Sequence, residues 1–153
     1  MTGFICLDSS VLIKLLAWED GSETAAELME RIVANELSVV LPSFAWAEIG
    51  SVLRQKVLRK EITVEEAEES WRIFRRLRNI TYIDGDEIMN TAWRISTDEK
   101  LSTLYDASYL AVAETVAKQS NEVCEFWTAD KKLVNSLSGK KQFVKLMGNA
   151  NPG

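Results

Sequence analysis

Four acidic residues stand beside apolar segments of the chain, where their carboxylates could hold a metal ion. Two of them follow short apolar runs that are predicted to be strands, and two border the apolar stripes of predicted helices. Carboxylates brought together repel one another unless a cation neutralises their charge. Oxygen ligands select Mg²⁺ or Mn²⁺, and such ions bind substrate phosphates. The set therefore predicts phosphoryl transfer or phosphodiester hydrolysis, and it consists of Asp8, Glu48, Asp106 and Asp130.

Each of these acids also has a purely structural explanation. Asp8, Asp106 and Asp130 stand where helices are predicted to begin, and an aspartate at such a position can act as an N-cap. Glu48 can instead pair with a base such as Arg54. A functional role is favoured for Asp8, because ligands of open α/β sheets bind at the carboxyl ends of the strands. For the other three acids, the residues alone leave both roles open.

The composition narrows the chemistry further. The chain has 153 residues, a net charge of -5 from 18 Lys and Arg against 23 Asp and Glu, and no histidine. The lack of histidine excludes Ser-His-Asp and Cys-His triads, His-ligated zinc sites and histidine-based ribonuclease mechanisms. Cys6 and Cys124 lie in strand-like segments and are predicted to be small buried residues that form no disulfide. The acidic balance argues against a protein that coats nucleic acid non-specifically.

The hydrophobic pattern predicts the elements that must position the four acids. Short apolar runs alternate with longer amphipathic ones, which predicts an α/β domain with a mainly parallel sheet of four to five strands. The predicted strands are Phe4–Leu7, Ser38–Leu41, Ile80–Ile83, Glu125–Thr128 and Phe143–Leu146. The predicted helices cover residues 11–18, 23–34, 44–58, 63–77, 87–95, 106–116 and 131–137. Thr63 and Glu66 have the spacing of a capping box at the start of one of them.

No linker or internal repeat divides the sequence. Residues 1–147 are therefore predicted to form a single domain, followed by a frayed tail over residues 148–153. The N-terminus lacks the basic region of a signal peptide, and the longest apolar stretch, Val11–Trp18, is too short to cross a bilayer. We expect a cytoplasmic protein without a membrane partner.

Four motifs surround the acids and carry a family resemblance. They are Asp8-Ser9-Ser10-Val11-Leu12-Ile13-Lys14, Pro42-Ser43 through Glu48, Leu104-Tyr105-Asp106-Ala107-Ser108-Tyr109-Leu110-Ala111-Val112-Ala113, and Thr128-Ala129-Asp130. In order and approximate spacing, over essentially the whole chain, they resemble the PIN-domain nucleases, specifically the VapC-type toxins of prokaryotic toxin–antitoxin pairs. The third motif is the most specific. The resemblance implies a three-layer α/β/α PIN-like domain with strand order 3-2-1-4-5.

The resemblance also implies an activity, a cofactor and partners. It implies a metal-dependent endoribonuclease that uses Mg²⁺ or Mn²⁺, a small antitoxin protein as partner and often a homodimer. It implies that Asp8, Glu48 and Asp106 form the acidic core of the metal site and that Asp130 completes or supports it. Ser9 and Thr128 are implied as hydroxyl groups that support these acids.

An RNA substrate also needs contacts to its phosphates and bases. The predicted phosphate contacts cluster near the end of the helix that carries Glu48, and they are Arg54, Lys56, Arg59 and Lys60. A second basic run comprises Arg72, Arg75, Arg76 and Arg78. Charged helix faces are commonly just solvated, which is the alternative for both clusters. Five tryptophans could stack on bases, but their place in amphipathic segments favours packing in the core.

Other functional classes fit the residues less well or stay open. A haloacid-dehalogenase-like phosphatase usually has a second acid two positions after its strand-end aspartate, where this chain has Ser10. A receiver-type phosphoacceptor usually has an adjacent acidic pair before the first helix, which is absent here. Within the family, the alternatives are a housekeeping RNA-processing nuclease and a non-catalytic PIN-like module that binds metal or a partner. Metal-dependent cleavage of RNA separates the enzyme from the module.

Overall fold

A sheet of five parallel strands forms the centre of the computed structural model, which describes residues 3–137, 139 and 141–148. The strands within these residues are β1 (Phe4–Leu7), β2 (Ser38–Pro42), β3 (Ile80–Ile83), β4 (Glu125–Thr128) and β5 (Val144–Leu146). Their order is β3-β2-β1-β4-β5, and every neighbouring pair is parallel. The predicted strand order and the parallel sheet are confirmed, and the number of strands is five.

Helices cover the sheet because its middle strand, β1, is apolar along its whole length and its neighbours are largely buried. The helices within the described residues are α1 (Ser9–Leu16), α2 (Ser22–Ala34), α3 (Ala45–Leu58), α4 (Val64–Arg76), α5 (Asp86–Asp98), α6 (Leu104–Ser120) and α7 (Lys131–Ser136). Helices α1 to α4 pack against one another as one group, and α5 packs on α6, which crosses β1, β2 and β4. Ile5, Cys6 and Leu7 of the central strand are all buried between these layers.

Most predicted boundaries hold to within two or three residues. The capping box is confirmed: Thr63 Oγ1 accepts a hydrogen bond from the Glu66 N–H, and Glu66 Oε1 accepts one from the Thr63 N–H. Both cysteines are buried and free, as expected. None of the helices in the described ranges is long and apolar enough to cross a membrane. Of the predicted tail, Gly148 lies in a turn, and residues 149–153 lie outside the described residues.

The prediction that the tryptophans pack in the core is wrong for three of the five. The exposed fraction is 78% for Trp18, 51% for Trp46 and 67% for Trp93. The helix predicted over residues 11–18 ends at Leu16, so Trp18 lies beyond it. Trp46 and Trp93 each stand next to a buried alanine, and one residue along a helix turns a side chain by about 100° away from the core. Trp71 and Trp127 are partly buried against the core.

Candidate active site

The first of the four acids is fixed by the pairing of the two central strands. β1 and β4 are parallel neighbours, so their carboxyl ends lie at the same edge of the sheet. The Asp8 N–H donates to the Trp127 carbonyl oxygen over 2.9 Å, which continues the ladder one residue beyond β1. Asp8 therefore lies beside Thr128, the last residue of β4.

The carboxylate of Asp8 is buried and accepts two hydroxyl hydrogen bonds. Thr128 Oγ1 donates to Asp8 Oδ2 over 2.8 Å, and Ser10 Oγ donates to the same oxygen over 2.7 Å. Asp8 is only 6% exposed. Although it stands at the N-cap position of α1, its side chain makes no capping hydrogen bond. The N-cap explanation for this side chain is therefore wrong. Its carboxylate instead accepts hydrogen bonds at the carboxyl edge of the sheet.

The same two hydroxyls hold the loop that follows β4. Ser10 Oγ accepts a hydrogen bond from the Ala129 N–H over 3.0 Å, and Thr128 Oγ1 accepts one from the Asp130 N–H over 3.0 Å. Asp130 is exposed and is the N-cap of α7, since its Oδ1 accepts from the Leu133 N–H over 3.2 Å. Asp130 is thus both the cap that its sequence position suggested and a neighbour of the buried acid.

Glu48 belongs to a different element from Asp8 and Asp130, because it lies in the first turns of α3. This helix begins three residues after the end of β2, which flanks β1 on the other side from β4. Glu48 Oε1 accepts a hydrogen bond from the hydroxyl of Tyr109 over 2.7 Å. Burial, followed by the negative charge of Glu48, raises the pKa of Tyr109 well above its usual range, so the hydroxyl stays protonated and donates. The suggested pairing of Glu48 with Arg54 does not occur among the described residues.

Asp106 lies in the first turn of α6 and is half-buried. The N-cap of this helix is Thr103, so Asp106 is not the cap that its sequence position allowed. Burial raises the pKa of Asp106, and the negative charges of Asp130 and Glu48 raise it further. Tyr109 stands one turn along the same helix, so α6 contributes to the site at two positions.

The four acids are coupled through their charges. The pKa of Asp8 is raised to about 6, chiefly by burial; hydrogen bonds from Ser10 and Thr128 oppose the rise, and the charges of Asp106 and Glu48 add to it. Because Asp106 also responds to Asp130 and Glu48, each acid is electrostatically coupled to at least one other. The fold thus gathers four carboxylates that are far apart in sequence at one edge of the sheet.

The family model described as the PIN domain matches residues 5–134. The chain belongs to the PIN domain family. The match spans all four acids and runs from within β1 to beyond β4, and the described fold is the PIN fold. The sequence matches no curated protein.

Solved structures that are similar to this PIN domain share its fold at low sequence identity. A toxin–antitoxin complex from Klebsiella pneumoniae has a TM-score of 0.59 and 19% identity, over 92% of this chain and 95% of the other. VapBC2 from Rickettsia felis, bound to a DNA fragment from its promoter, has a TM-score of 0.56 and 16% identity, over 86% and 92%. A protein from Pyrobaculum aerophilum has a TM-score of 0.55 and 20% identity, over 89% and 87%.

PIN domains generally use divalent metal ions, and the donor set of this PIN domain suits such an ion in charge and chemistry. Its carboxylate oxygens are the ligands that Mg²⁺ and Mn²⁺ prefer. In the described part of the chain, however, no three acidic or cysteine side chains converge closely enough to hold one ion directly. Protein donors occupy Asp8 Oδ2, Glu48 Oε1 and Asp130 Oδ1. Mg²⁺ commonly retains several waters and takes only one or two carboxylates, which is compatible with this arrangement.

The supporting hydroxyls of the PIN domain are Ser10 and Thr128. The resemblance implied Thr128 and Ser9, whereas the serine hydroxyl that donates to Asp8 in the structure is that of Ser10. In the first turn of α1, it is the second serine whose hydroxyl reaches back to Asp8 and to the loop after β4. The sequence could have indicated Ser10, because a hydroxyl two residues after an acid at the end of a strand is within reach of its carboxylate.

The predicted basic cluster does not gather at the acids. Lys56, which was predicted as an RNA contact, is mostly buried, and its Nζ lies 3.0 Å from Glu19 Oε1, so it ties α3 to the segment between α1 and α2. Arg59 and Lys60 are exposed at the end of α3, roughly 17 Å along the helix axis from Glu48. Arg54 is exposed and lies between them and Glu48.

Two cations closer to the acids escaped the sequence analysis. Lys131 and Lys132 are exposed at the start of α7 and directly follow Asp130. The sequence could have indicated them, because two lysines that directly follow an acid at the end of a strand must lie at the same edge of the sheet as that acid. Tyr109 was also missed, since a tyrosine on the apolar face of a helix is typical of the core.

Proposed function

We propose that this PIN domain is a Mg²⁺- or Mn²⁺-dependent endoribonuclease, the toxin of a type II toxin–antitoxin pair that acts in the cytoplasm. The observation that carries the proposal is the meeting of four carboxylates at the carboxyl edge of the sheet, with Asp8 buried among them. A buried carboxylate next to other acids destabilises the fold unless something binds it. The presence of such a cluster at the ligand-binding edge of the sheet supports a binding role for it.

The four acids are proposed to have different roles at the ion. We assign Asp8 and Asp106 as the residues that hold the ion directly, and Glu48 and Asp130 as residues that act through water or hold a second ion. When bound, such an ion supplies an activated water and offsets the negative charge that builds up on the reacting phosphate. Ser10 and Thr128 orient the Asp8 carboxylate by donating to its Oδ2. No side chain has to form a covalent intermediate with the RNA.

The substrate has to approach an acidic protein, which requires local cations. The four acids of the site account for four of the five excess negative charges, so the rest of the chain is nearly neutral. We assign Arg54, Lys131 and Lys132 as the phosphate contacts nearest the acids, and Arg59 and Lys60 as outer contacts for a longer RNA strand. The exposed Trp46, two residues before Glu48, supplies a face on which a base can stack.

The proposal that this chain is a toxin rests on the solved structures that share its fold. Two similar structures are a toxin–antitoxin complex and VapBC2, which supports a small antitoxin as the partner of this chain. We propose that the toxin is a homodimer, as the resemblance to VapC-type toxins implies. Toxicity on induced expression that a neighbouring small protein relieves supports this role, whereas a harmless nuclease indicates housekeeping RNA processing.

The test is cleavage of a mixed RNA pool with Mg²⁺, with Mn²⁺ and with EDTA, followed by mapping of the cut sites. We expect internal cuts with either ion, no cuts with EDTA, and no cuts by the Asp106→Ala variant. The matched control is Asp84→Ala, because Asp84 is an exposed acid that follows β3 at the same edge of the sheet, two strands away from Asp8. Cleavage that survives EDTA or Asp106→Ala refutes the proposal, and a folded protein that never cuts RNA is the non-catalytic module.

A further inference from the structure

Tyr109 lies under the site with its hydroxyl against Glu48. The side chain belongs to α6, is 1% exposed, and donates a hydrogen bond of 2.7 Å to Glu48 Oε1. The two residues are 61 positions apart in sequence and lie on different helices. The bond therefore joins α3 to α6 directly at the carboxylate cluster.

Aromatic packing fixes the ring that carries this hydroxyl. Phe44 lies edge-on to the Tyr109 ring, with centroids 6.0 Å apart and planes at 88°. Phe126 of β4 packs on the ring at 5.9 Å and 34°. A ring held on two sides in a close-packed core cannot follow a moving partner. The position of the Tyr109 hydroxyl is therefore fixed, and the longer and more mobile Glu48 side chain is hydrogen-bonded to it.

Glu48 needs such a fixed partner because the other acids repel it. Glu48 lies near Asp8 and Asp106, whose pKa values its charge raises, and like charges brought together repel one another. Glu48 is only half-buried at the start of α3, and a glutamate there can turn outward to water. A hydrogen bond to a carboxylate is stronger than one between neutral groups, and it opposes this outward movement.

We propose that Tyr109 is a positioning residue that holds Glu48 at the acidic cluster before an ion binds. The bond occupies Oε1 and leaves Oε2 to act toward the ion or its water. An acid that is already in place lowers the conformational cost of binding the ion. This inference rests on the proposed function, because it needs the four acids to bind Mg²⁺ or Mn²⁺.

The test is Tyr109→Phe, which keeps the ring and removes only the hydroxyl. Mn²⁺ binding is measured by calorimetry on the metal-free protein, and RNA cleavage is measured as a function of Mn²⁺ concentration. We expect Mn²⁺ to bind about 10-fold more weakly, as is typical when a group that orients a metal ligand is lost. The Mn²⁺ concentration for half-maximal cleavage rises by a similar factor, while the KM for RNA at saturating Mn²⁺ stays unchanged. A purely structural role of Tyr109 does not produce this separation.

Two further variants connect the effect to Glu48. In a Glu48→Gln background, Tyr109→Phe should weaken Mn²⁺ binding no further, because the carboxylate that it positions is gone. Glu48→Asp keeps a carboxylate but shortens its reach to the hydroxyl, and should match Tyr109→Phe in Mn²⁺ affinity. Tyr82→Phe is the matched control, because Tyr82 is an exposed tyrosine on the edge strand β3.

The outcomes separate this inference from the proposed function. If the wild-type protein binds Mn²⁺ with the same affinity as Asp8→Asn and Glu48→Gln, the metal site itself is wrong. If Glu48→Gln weakens binding but a folded Tyr109→Phe protein binds like the wild type, only the positioning role is wrong. If Tyr109→Phe does not fold, Glu48→Asp decides: wild-type Mn²⁺ affinity in that variant overturns the positioning role.

Discussion

Thr128 Oγ1 donates a hydrogen bond of 2.8 Å to Asp8 Oδ2, joining two residues that are 120 positions apart in the sequence. Thr128 is fully buried at the end of β4, and Asp8 directly follows β1. With the second donor, Ser10, this contact orients a buried carboxylate and attaches the loop after β4 to the first helix. The candidate site depends on this junction of the two central strands.

The first prediction concerns the charge of Asp8. Asp8→Asn keeps an oxygen that can accept both hydroxyls but loses the negative charge, so we expect Mn²⁺-dependent RNA cleavage to fall by at least about 10³-fold with the fold intact. Asp84→Asn serves as the control for the same chemical change at an exposed strand end, and it should cut like the wild type. Initial cleavage rates at saturating Mn²⁺ measure the effect. An Asp8→Asn protein that retains full metal-dependent cleavage contradicts the assignment.

The second prediction concerns stability without metal as a function of pH. The pKa of Asp8 is about 6 in the folded protein and near 4 in the unfolded chain, so the folded state holds the proton more tightly between these values. The free energy of unfolding should therefore decrease as pH rises from about 4 to about 6, and this contribution should level off above pH 7. Asp106, whose pKa is also raised, acts in the same direction.

Asp8→Asn removes the titration at that site. In EDTA at pH 7.5 it should be more stable than the wild type by about 1 to 3 kcal/mol, and the difference should shrink toward pH 4. Urea unfolding at pH 7.5 and at pH 4.5 measures both effects. A variant that is less stable than the wild type at both pH values would show that the buried charge carries no penalty.

The third prediction distinguishes the two serines that follow Asp8. Ser10→Ala removes a donor that lowers the pKa of Asp8 and leaves the Ala129 N–H without its acceptor. The pKa of Asp8 should therefore rise above about 6, and the acidic limb of the cleavage pH profile should move upward by up to one unit. Metal affinity should fall by about 10-fold. Ser9→Ala should leave the pH profile in place, so equal shifts in both variants would contradict the role given to Ser10.

The fourth prediction compares two pairs of cations. Reversing the charge of Lys131 and Lys132, which adjoin Asp130, should raise the KM for RNA more than reversing Arg59 and Lys60 at the far end of α3. Either double change should leave Mn²⁺ affinity within about threefold of the wild type, and each lost phosphate contact should lower the salt dependence of RNA binding by about one unit in slope. Binding titrations at several salt concentrations provide the comparison. An equal loss of RNA and Mn²⁺ binding would indicate damage to the acidic cluster instead.

The sequence was sufficient for the sheet and for the places of the acids in the fold, because both follow local rules. Each strand is a short apolar run, and an acid directly after such a run must lie at the carboxyl edge of a parallel sheet. Asp8 and Asp130 were located in this way. Glu48 and Asp106 were recognised because each carboxylate borders the apolar stripe of its helix.

The contacts between elements could not be predicted, because they depend on side-chain directions and on partners far away in the sequence. Whether Ser9 or Ser10 reaches Asp8 is decided by the first turn of α1. The Tyr109 hydroxyl is satisfied by a residue on another helix, and nothing near Tyr109 in the sequence indicates this. The ion pair of Lys56 could not be predicted for the same reason, since Glu19 lies on the segment between two other helices.

The position of β1 in the middle of the sheet has a consequence for the synthesis of the protein. β1 is translated first, but its neighbour β4 and the loop with Asp130 are translated more than a hundred residues later. A nascent chain that ends before Thr128 has neither the second hydroxyl on Asp8 nor the fourth acid. The candidate site therefore cannot be complete in a nascent chain until Thr128 and Asp130 have been synthesised and β4 has paired with β1.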